Sequence, residues 1–435
     1  MAEIVQDWTN YNESLLFTYT DEYYKELGKD VFSEKNIADK HVVPNSLSNC
    51  YPHAKAIAQM LKEYIEKFKL EGQVKVLECG AGSGVFARHF LLALKELEIL
   101  DKVLYLVSDF AKQSLEDIQN NDVLKEFTKN ENYQLIELDL LDINNCKDMQ
   151  EQAYVLEDLD MVIMNYVICQ MPLTVLRKSS QGFEEMQIKF TTNDSEKEKT
   201  DFDYLESLKR ENQWVPYNWD EQSDIEQKYR NIFELYAEPL NQEFIYYNYG
   251  ALGVMENLFS ICKDSAFFFF ADMPAKEHQA DTCKIYGNSI AHPINNQLMA
   301  VLADEKNAAC LYFVDQFYPL VRFTIIKDKQ TRDFFEEFYQ NYFISRNDAI
   351  KWTDLKMVLD KFGSKHSKAT YDRILESLWQ LDPYSFTVHL LKGKSHIFSG
   401  EKEEARKYLQ QAKALDFLDN AGLDEEKIER LVQLG

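Results

Sequence analysis

The segment Val74–Gly84 reads VKVLECGAGSG, an apolar run followed at once by three glycines at alternate positions. From Val85 to Leu97, apolar side chains recur at three- and four-residue spacing, which predicts an amphipathic helix. In a strand, glycine turn and helix of this kind, the unpaired N–H groups at the helix N-terminus can bind a polar ligand. This stretch therefore predicts an α/β fold with a nucleotide-type ligand at the turn.

Short apolar runs alternate with helical patterns beyond this turn, which is typical of parallel strands joined by crossover helices. The runs Leu298–Leu302 and Leu311–Ile326 are expected to complete the sheet. Phe267–Phe270 is expected to be core, because a central parallel strand is buried on both faces. Besides Val74–Cys79, the predicted elements are the strands Val103–Val107, Gln134–Leu138, Asp160–Tyr166 and Ala266–Phe270, and the helix Ala111–Ile118.

At 435 residues, the chain is expected to fold as more than one domain. We predict an N-terminal helical segment over 1–72, an α/β domain over 73–346 and a helical domain over 347–435. The polar, acidic stretch 191–239 is too long for an ordinary connection and predicts an inserted helical cap. A disordered loop is the alternative, and it suits Thr191–Thr200 better than the aromatic-bearing remainder.

A repeat marks the C-terminal part. Leu381-Asp382-Pro383 recurs 34 residues later as Leu415-Asp416-Phe417, which is the tetratricopeptide period. Gly400 is expected in a turn between two antiparallel helices. These helices would meet at small or apolar positions, namely Gly393, Ala405, Leu409 and Ala412. A plain helical cap is the alternative interpretation.

Charge and cysteine content restrict the partners. The formal net charge of −25 would repel nucleic acid, so no nucleic-acid partner is expected. No apolar window reaches the length of a membrane span, and no signal peptide is recognised, so no membrane partner is expected. Seven scattered cysteines without a CxxC pair indicate free thiols, no metal site and a cytoplasmic location. The oligomeric state is left open.

The glycine turn itself narrows the ligand. Gly80, Gly82 and Gly84 allow a tight turn and a close backbone approach, but Val85 stands where a dinucleotide fingerprint ends its GxGxxG pattern. An adenosylmethionine site has no pyrophosphate, and an acidic residue before the glycines can face the cationic end of the ligand. Glu78 fits that role.

Acidic residues also follow the next two predicted strands. Asp109 ends the second strand and is placed to accept hydrogen bonds from ribose hydroxyls. Asp139 ends the third strand, where its carboxylate or the Leu140 amide could contact the adenine edge. Each acid alone suits a solvated loop better, but together after a glycine turn they favour S-adenosylmethionine as the cofactor.

The motif Glu78-x-Gly80-x-Gly82-x-Gly84 after the first strand resembles that of the class I S-adenosylmethionine-dependent methyltransferases, over roughly residues 40–330. Asn165–Pro172 (NYVICQMP), Val175-x-Arg177 and a Gly182-x-x-Glu185 hairpin resemble the MidA-like group, which includes protein arginine methyltransferases acting in respiratory complex assembly. That group typically has acidic residues where this chain has Tyr166 and Cys169. The resemblance implies a Rossmann-like methyltransferase fold with a mainly parallel sheet.

Catalytic candidates are fewer, since methyl transfer needs positioning more than a dedicated base. Asn165 and Tyr166 end the fourth strand, where Asn165 could bind either the cofactor or the acceptor, or simply satisfy the turn. His292 could face the cleft. The favoured function is methylation of a protein recruited by the C-terminal repeats. The alternatives are a small-molecule methyltransferase and a scaffold that binds S-adenosylmethionine without turnover.

Overall fold

The computed structural model describes residues 3–18, 25, 47–121, 124, 127, 132–193, 205, 207–239, 244–275, 284–286, 289–314, 320–361, 367–416 and 423–434. Within these ranges the strands are β1 Glu3–Asn10, β2 Val74–Cys79, β3 Val103–Asp109, β4 Tyr133–Glu137, β5 Lys147–Asp148, β6 Leu159–Asn165, β7 Thr174–Ser179, β8 Gly182–Thr192, β9 Lys209–Pro216, β10 Ile245–Tyr247, β11 Cys262–Asp272, β12 Lys284–Tyr286, β13 Ser289–Ala291, β14 Ala309–Val314 and β15 Val321–Ile326.

The α-helices of the described ranges are α1 Tyr51–Phe68, α2 Val85–Glu96, α3 Lys112–Asn120, α4 Asp224–Lys228, α5 Arg230–Ala237, α6 Tyr249–Ile261, α7 Asn296–Glu305, α8 Arg332–Phe338, α9 Asp348–Asp360, α10 Lys368–Leu381, α11 Phe386–Phe398, α12 Lys402–Leu415 and α13 Glu425–Leu434. A π-helical stretch, Tyr339–Ser345, extends α8.

An eight-stranded sheet forms the centre of the molecule. Its order is β14-β15-β11-β6-β2-β3-β4-β5. Strands β11, β6, β2, β3 and β4 are parallel, whereas β15, β14 and β5 run antiparallel to their neighbours. The α/β class, the mainly parallel sheet and the predicted strands from Val74 to Tyr166 are confirmed. The carboxyl ends of these parallel strands lie along one edge of the sheet.

Helices cover both faces of this sheet. One hydrophobic cluster joins α1 and α2 to alternate residues of β6 and β11, such as Ile163 and Phe269. The cluster on the other face joins α5, α6 and α7 to the intervening residues, such as Val162 and Phe270. Phe267–Phe270 is fully buried, as predicted for a central strand.

Of the two runs expected to complete the sheet, one was predicted wrongly and the other is confirmed. Leu298–Leu302 lies in α7 and not in a strand. A short apolar run suits a buried helix as well as a buried strand. In this case Asn295, three residues before the run, caps a helix by accepting a hydrogen bond from the Leu298 amide. The run Leu311–Ile326 completes the sheet as predicted, through the antiparallel pair β14 and β15.

A second sheet, antiparallel throughout, was not expected. Strand β8 pairs with β1, β7 and β9, and β7 pairs with β10. The prediction of helix throughout 1–72 was therefore wrong at Glu3–Asn10, which forms β1, although α1 is a helix as predicted. The predicted hairpin of β7 and β8 is confirmed, with Ser179 opposite Gly182.

The expected helical cap is only partly helical. Of 191–239, the end of β8 and all of β9 belong to the second sheet, and α4 and α5 follow. Strand pairing between β8 and β9 satisfies backbone groups that we had expected helices to satisfy. The expectation of disorder within Thr191–Thr200 falls mostly on 194–200, which lie outside the described residues.

The C-terminal helices divide into two packing groups. Trp352 of α9 and Leu378 of α10 belong to the same hydrophobic cluster as α1 and α2. Helices α12 and α13 form a separate cluster with part of α11. Gly393 of α11 lies so close to α12 that a Cβ there would be 2.7 Å from the Leu409 side chain, and Gly400 adopts a φ of +71° in the connecting turn. The tetratricopeptide assignment stays a prediction, and Phe417 is outside the described residues.

Candidate functional site

The glycine turn lies at the carboxyl end of β2 in a conformation that its sequence explains. Gly80, Gly82 and Gly84 have φ values of +67°, +53° and +78°, the left-handed region that side chains disfavour. A Cβ on Gly80 would lie 2.6 Å from Cγ2 of Val167, and one on Gly84 would lie 2.8 Å from Cγ1 of Ile118. Gly80 and Gly84 therefore require glycine both because of their backbone conformation and because there is no room for a Cβ.

Asp109 ends β3 and holds this turn in place. Its Oδ2 accepts a hydrogen bond of 2.8 Å from the Gly82 amide, and its Oδ1 accepts one of 2.9 Å from the Ala111 amide. Burial raises the pKa of Asp109, and these amide bonds oppose that shift. A carboxylate can accept about four hydrogen bonds, so contacts to a ribose remain available, but the side chain is not the free acceptor that the sequence suggested.

Glu78 lies beneath the turn with only 3% of its surface exposed. The Tyr105 hydroxyl donates a hydrogen bond to its Oε2. Burial raises the pKa of Glu78 to about 8, the Asp109 carboxylate adds to the rise, and the Tyr105 hydrogen bond opposes it. The site thus contains a carboxyl group that is largely protonated at pH 7 and that a nearby cation would ionise.

The residues after β4 are less enclosed. Asp139 is exposed, and its Oδ1 accepts a hydrogen bond of 2.9 Å from the Leu141 amide. Leu140 is buried, and its carbonyl accepts a hydrogen bond of 2.9 Å from Nδ2 of Asn257 on α6. Asp139 therefore stabilises its own turn, and it lies at the same sheet edge as Asp109.

Asn165 and Tyr166 lie at the carboxyl end of β6. Tyr166 has a φ of +56°, and its amide donates a hydrogen bond of 2.8 Å to the Ala271 carbonyl at the end of β11. Asp272 continues this tie by accepting hydrogen bonds from the amides of Cys169, at 3.2 Å, and of Met273, at 2.8 Å. The turn that follows Asn165 is thus fixed from the neighbouring strand.

His53 is a member of the site that we did not assign from the sequence. It is fully buried near the start of α1, with its Nε2 3.4 Å from Oδ1 of Asn165. Burial lowers the pKa of His53 to about 3, and the charge of Arg322 lowers it further, so the ring is neutral. The only sequence signal was its place one residue after Pro52, which shows that it starts a helix but not what it touches.

Arg322 lies close to this pair. In the sheet register both Asn165 and Arg322 stand opposite Ala271, on its two sides, so the three residues form one row near the carboxyl end. Arg322 is fully buried, with its guanidinium 5.2 Å from the centre of the Phe343 ring. It too was absent from our candidates.

His292 is placed differently from the other candidates. Its Nδ1 is 3.0 Å from the Tyr11 hydroxyl, and its ring stacks on Phe17 with centroids 3.9 Å apart. Its amide donates a hydrogen bond of 3.1 Å to the Cys169 carbonyl. Burial lowers its pKa to about 3. His292 therefore joins the N-terminal segment to the turn after Asn165, and it packs beneath residues 11–17.

The site has features that suit an adenosyl cofactor with a cationic end. Nδ2 of Asn165 and Nδ1 of His53 are buried and make no hydrogen bond with any described residue. Glycines that leave no room for a Cβ bring backbone close to the same edge of the sheet. The acids Glu78 and Asp109 lie at the ends of adjacent strands.

A mainly parallel α/β sheet with a glycine turn and acids at its carboxyl edge defines a nucleotide-binding protein of the Rossmann-like class. Residues 54–301 match the family described as putative S-adenosyl-L-methionine-dependent methyltransferase. The chain belongs to this family. S-adenosylmethionine is the family's cofactor, so the prediction of the cofactor is confirmed, as is the general class of methyltransferase.

Several solved structures are similar to this chain at low identity. An uncharacterised protein from Burkholderia thailandensis is 14% identical, covers 86% of this chain and 83% of its own, and gives a TM-score of 0.45. A likely methyltransferase of the same superfamily and organism, bound to S-adenosylhomocysteine, is 13% identical, with 70% and 74% covered and a TM-score of 0.42. Magnesium protoporphyrin IX methyltransferase from Synechocystis is 10% identical, with 71% and 98% covered and a TM-score of 0.35. A search of curated proteins finds no match.

The described residues lack both a membrane-spanning helix and a metal-binding cluster. None of their helices is long and apolar enough to cross a membrane. They contain no group of three or more His, Cys, Asp or Glu side chains that could hold a metal ion. Six of the seven cysteines lie in the described ranges, and all six are free thiols.

Proposed function

We propose that the cofactor binds at the carboxyl edge of β2, β3, β4 and β6, in contact with Glu78, the turn Gly80–Gly84, Asp109, Asp139, Leu140 and Asn165. The observation that carries this proposal is the tie between Asp109 and the Gly82 amide, because it fixes a glycine turn against the end of the neighbouring strand. When bound, S-adenosylmethionine supplies a methyl group on a cationic sulfur. The chain's own contribution is to hold that group with preorganised donors and acceptors.

Each proposed contact has a physical reason. The Asp109 oxygens keep free acceptor capacity for hydroxyl groups after accepting two amides. Glu78 becomes an anion once a positive charge is near, since a neighbouring cation lowers the pKa of a carboxyl. Asn165 has a buried amide nitrogen that no described residue accepts from, so a ligand acceptor there would satisfy it.

Calorimetric titration with S-adenosylmethionine tests this placement. Asp109→Ala should weaken binding at least about tenfold, because it removes both the turn's anchor and a charged acceptor. Asp101→Ala is the matched control, since Asp101 is exposed just before the opposite end of β3. Equal affinities for the two variants would contradict the placement. If the unmodified chain did not bind S-adenosylmethionine, the proposed cofactor site would be ruled out.

We further propose that the methyl acceptor is a protein recruited by α12 and α13, and that Asn165 and Tyr166 face it. Two observations support a recruiting role: these helices form their own cluster apart from the main core, and α12 packs tightly on α11. The likeness of Asn165–Pro172 to the MidA-like group also favours a protein acceptor. The tetratricopeptide character of the helices from α9 to α12 is also part of this proposal.

Deleting 401–435 tests recruitment better than removing everything after 346. The longer deletion would also remove Trp352 and Leu378 from the main core, whereas the shorter one spares that cluster. With labelled methyl donor and cell lysate, the shorter deletion should abolish protein labelling while calorimetry shows unchanged cofactor binding. Unchanged protein labelling would contradict recruitment by these helices. Labelling of small molecules alone, by the full chain, would favour the small-molecule alternative.

A further inference from the structure

Glu185 of β8 is a buried residue whose carboxyl group has no partner among the described residues. Only 6% of its surface is exposed. No described residue donates a hydrogen bond to its carboxyl group or forms an ion pair with it, although most buried polar groups in proteins are satisfied in one of these ways. Its carboxyl oxygens are therefore free to accept a hydrogen bond or an ion pair from outside the chain.

The carboxyl faces other acids. Glu185 stands opposite Leu176 of β7, on the same strand face as Thr174. Thr174 donates a hydrogen bond of 3.0 Å to Glu226 of α4, so Glu226 lies over this face too. Glu13 and Glu221 complete a group of four carboxyls, which we call the Glu185 cluster, and the last two are exposed, so the cluster reaches the surface.

The members of this cluster differ in how well they are satisfied. Glu226 accepts hydrogen bonds from Thr174, from the Tyr217 hydroxyl at 3.2 Å and from the Ser223 hydroxyl at 2.7 Å. Glu221 accepts one from Asn218 at 2.8 Å. Within the described part of the chain, the other titratable groups close to Glu185 are the hydroxyls of Tyr217 and Tyr249. Among the described residues, every charged group that acts on Glu185 is therefore an acid.

We propose that Glu185 anchors a binding site for an organic cation, an ammonium or guanidinium group that supplies the ion pair which no described residue supplies. A metal ion suits the cluster less well, because no three acids among the described residues are placed to hold one. The oxygens of Glu226 are already occupied by hydroxyl donors, whereas Glu185 has all its acceptor capacity free. This inference does not depend on the proposed cofactor site.

The binding should depend on pH in a defined direction. Burial raises the pKa of Glu185 to about 7, and the charges of Glu226, Glu13 and Glu221 raise it too. The carboxyl is therefore ionised above pH 7 and protonated below it. Cation binding is expected to be strong at pH 8.5 and to be lost as the pH falls to 5.5.

Saturation-transfer NMR on the full chain, at constant ionic strength, measures this binding. The probes are methylammonium, methylguanidinium, and acetylated tripeptide amides with a central Lys or Arg. At pH 8.5, Glu185→Gln should weaken binding at least about tenfold, because a charged hydrogen-bond acceptor is lost. Glu184→Gln is the matched control, since the neighbouring Glu184 accepts a hydrogen bond of 2.6 Å from Arg177 on the other strand face.

The outcomes separate cleanly. Tighter binding of a peptide than of the bare cation assigns the ligand to a protein side chain, and the reverse assigns it to a free small molecule. A thermal midpoint of Glu185→Gln at or above that of the unmodified chain shows that the variant folds. The proposal is overturned by equal binding to Glu185→Gln and the unmodified chain, by no binding of any probe, or by tighter binding of Ca²⁺ than of the organic cations.

Discussion

The two sheets of this chain treat their buried carboxyl groups in opposite ways. In the eight-stranded sheet, Glu78, Asp109 and Asp272 each accept hydrogen bonds from a hydroxyl or from backbone amides. In the five-stranded sheet, Glu185 accepts none from any described residue. The difference teaches that the buried acids of the eight-stranded sheet stabilise the protein's own structure through hydrogen bonds. Glu185 of the five-stranded sheet is instead available to a bound cation.

The largest expected effect is that of Gly80→Ala, which tests whether the glycine turn of the eight-stranded sheet forms the cofactor site. The new Cβ would meet the stiff side chain of Val167 at 2.6 Å and would force a side chain into a φ of +67°. We expect a loss of about 2–4 kcal/mol in the free energy of unfolding and the loss of measurable cofactor binding. Denaturant unfolding and calorimetry measure the two effects.

Gly72→Ala is the matched control for that substitution. Gly72 has a similar φ of +78°, but a Cβ there meets nothing within 4 Å. It should cost only the backbone strain of about 1 kcal/mol and leave cofactor affinity unchanged. If the two variants lost equal stability, contact with Val167 would have no part in shaping the turn.

The next test sets the two kinds of carboxyl directly against each other. Both oxygens of Asp272 accept from amides, so Asp272→Asn must turn an NH₂ group toward one of these N–H donors. We expect a loss of about 2 kcal/mol in the free energy of unfolding at pH 7. Glu185→Gln should instead leave the unfolding free energy unchanged or raise it, because the lost charge had no partner. If both substitutions lowered the free energy of unfolding, or both raised it, the contrast between the two carboxyl groups would be wrong.

The third test concerns Glu78, whose pKa of about 8 makes it mostly protonated at pH 7. If the cationic cofactor binds the ionised form, affinity rises with pH until it passes the pKa of the free site. Between pH 6.5 and 8.5 the ionised fraction of Glu78 rises from about 3% to about 76%, so the dissociation constant should fall about 25-fold, which corresponds to about 1.9 kcal/mol. Calorimetry at several pH values gives this profile.

Two variants distinguish ionisation of Glu78 from ionisation of the ligand as the cause of this pH dependence. Glu78→Gln should remove the part of the pH dependence that belongs to the protein and leave the part that belongs to the ligand's amino group. Tyr105→Phe removes the hydroxyl that donates to Glu78 and opposes the rise in its pKa, so the profile should move to higher pH. A profile that is the same in all three proteins would place Glu78 away from the cofactor's charge.

The same contrast explains what the sequence could predict. The strands β2, β3, β4, β6 and β11 each form from one short, mainly apolar run, so local patterns predicted them. Strand β1 reads EIVQDWTN without a clean alternation, and its partner β8 begins at Gly182. Pairing between segments so far apart leaves no local signal, so the second sheet was missed.

The site shows the same division. The types and order of Glu78, the glycines and Asp109 could be predicted, because each belongs to one strand end. Their contacts could not be predicted. His53 lies 112 residues before Asn165, and only the packing of α1 on the sheet brings them together. The isolated acid Glu185 was likewise invisible, since the absence of a partner is a property of the folded chain.

The smallest expected effect concerns His292, where the two sheets meet. Tyr11 follows β1, and its hydroxyl contacts His292 Nδ1, so Tyr11→Phe leaves a buried polar atom without that partner. We expect a loss of about 1 kcal/mol in the free energy of unfolding and no change in cofactor affinity, because the tie from His292 to the turn after Asn165 runs through its backbone amide and is kept. Tyr312→Phe, on an exposed ring of β14, is the control and should change neither quantity. If Tyr11→Phe lowered the cofactor affinity and Tyr312→Phe did not, the second sheet would take part in forming the cofactor site. That result would contradict the division argued above, in which only the acids of the eight-stranded sheet shape that site.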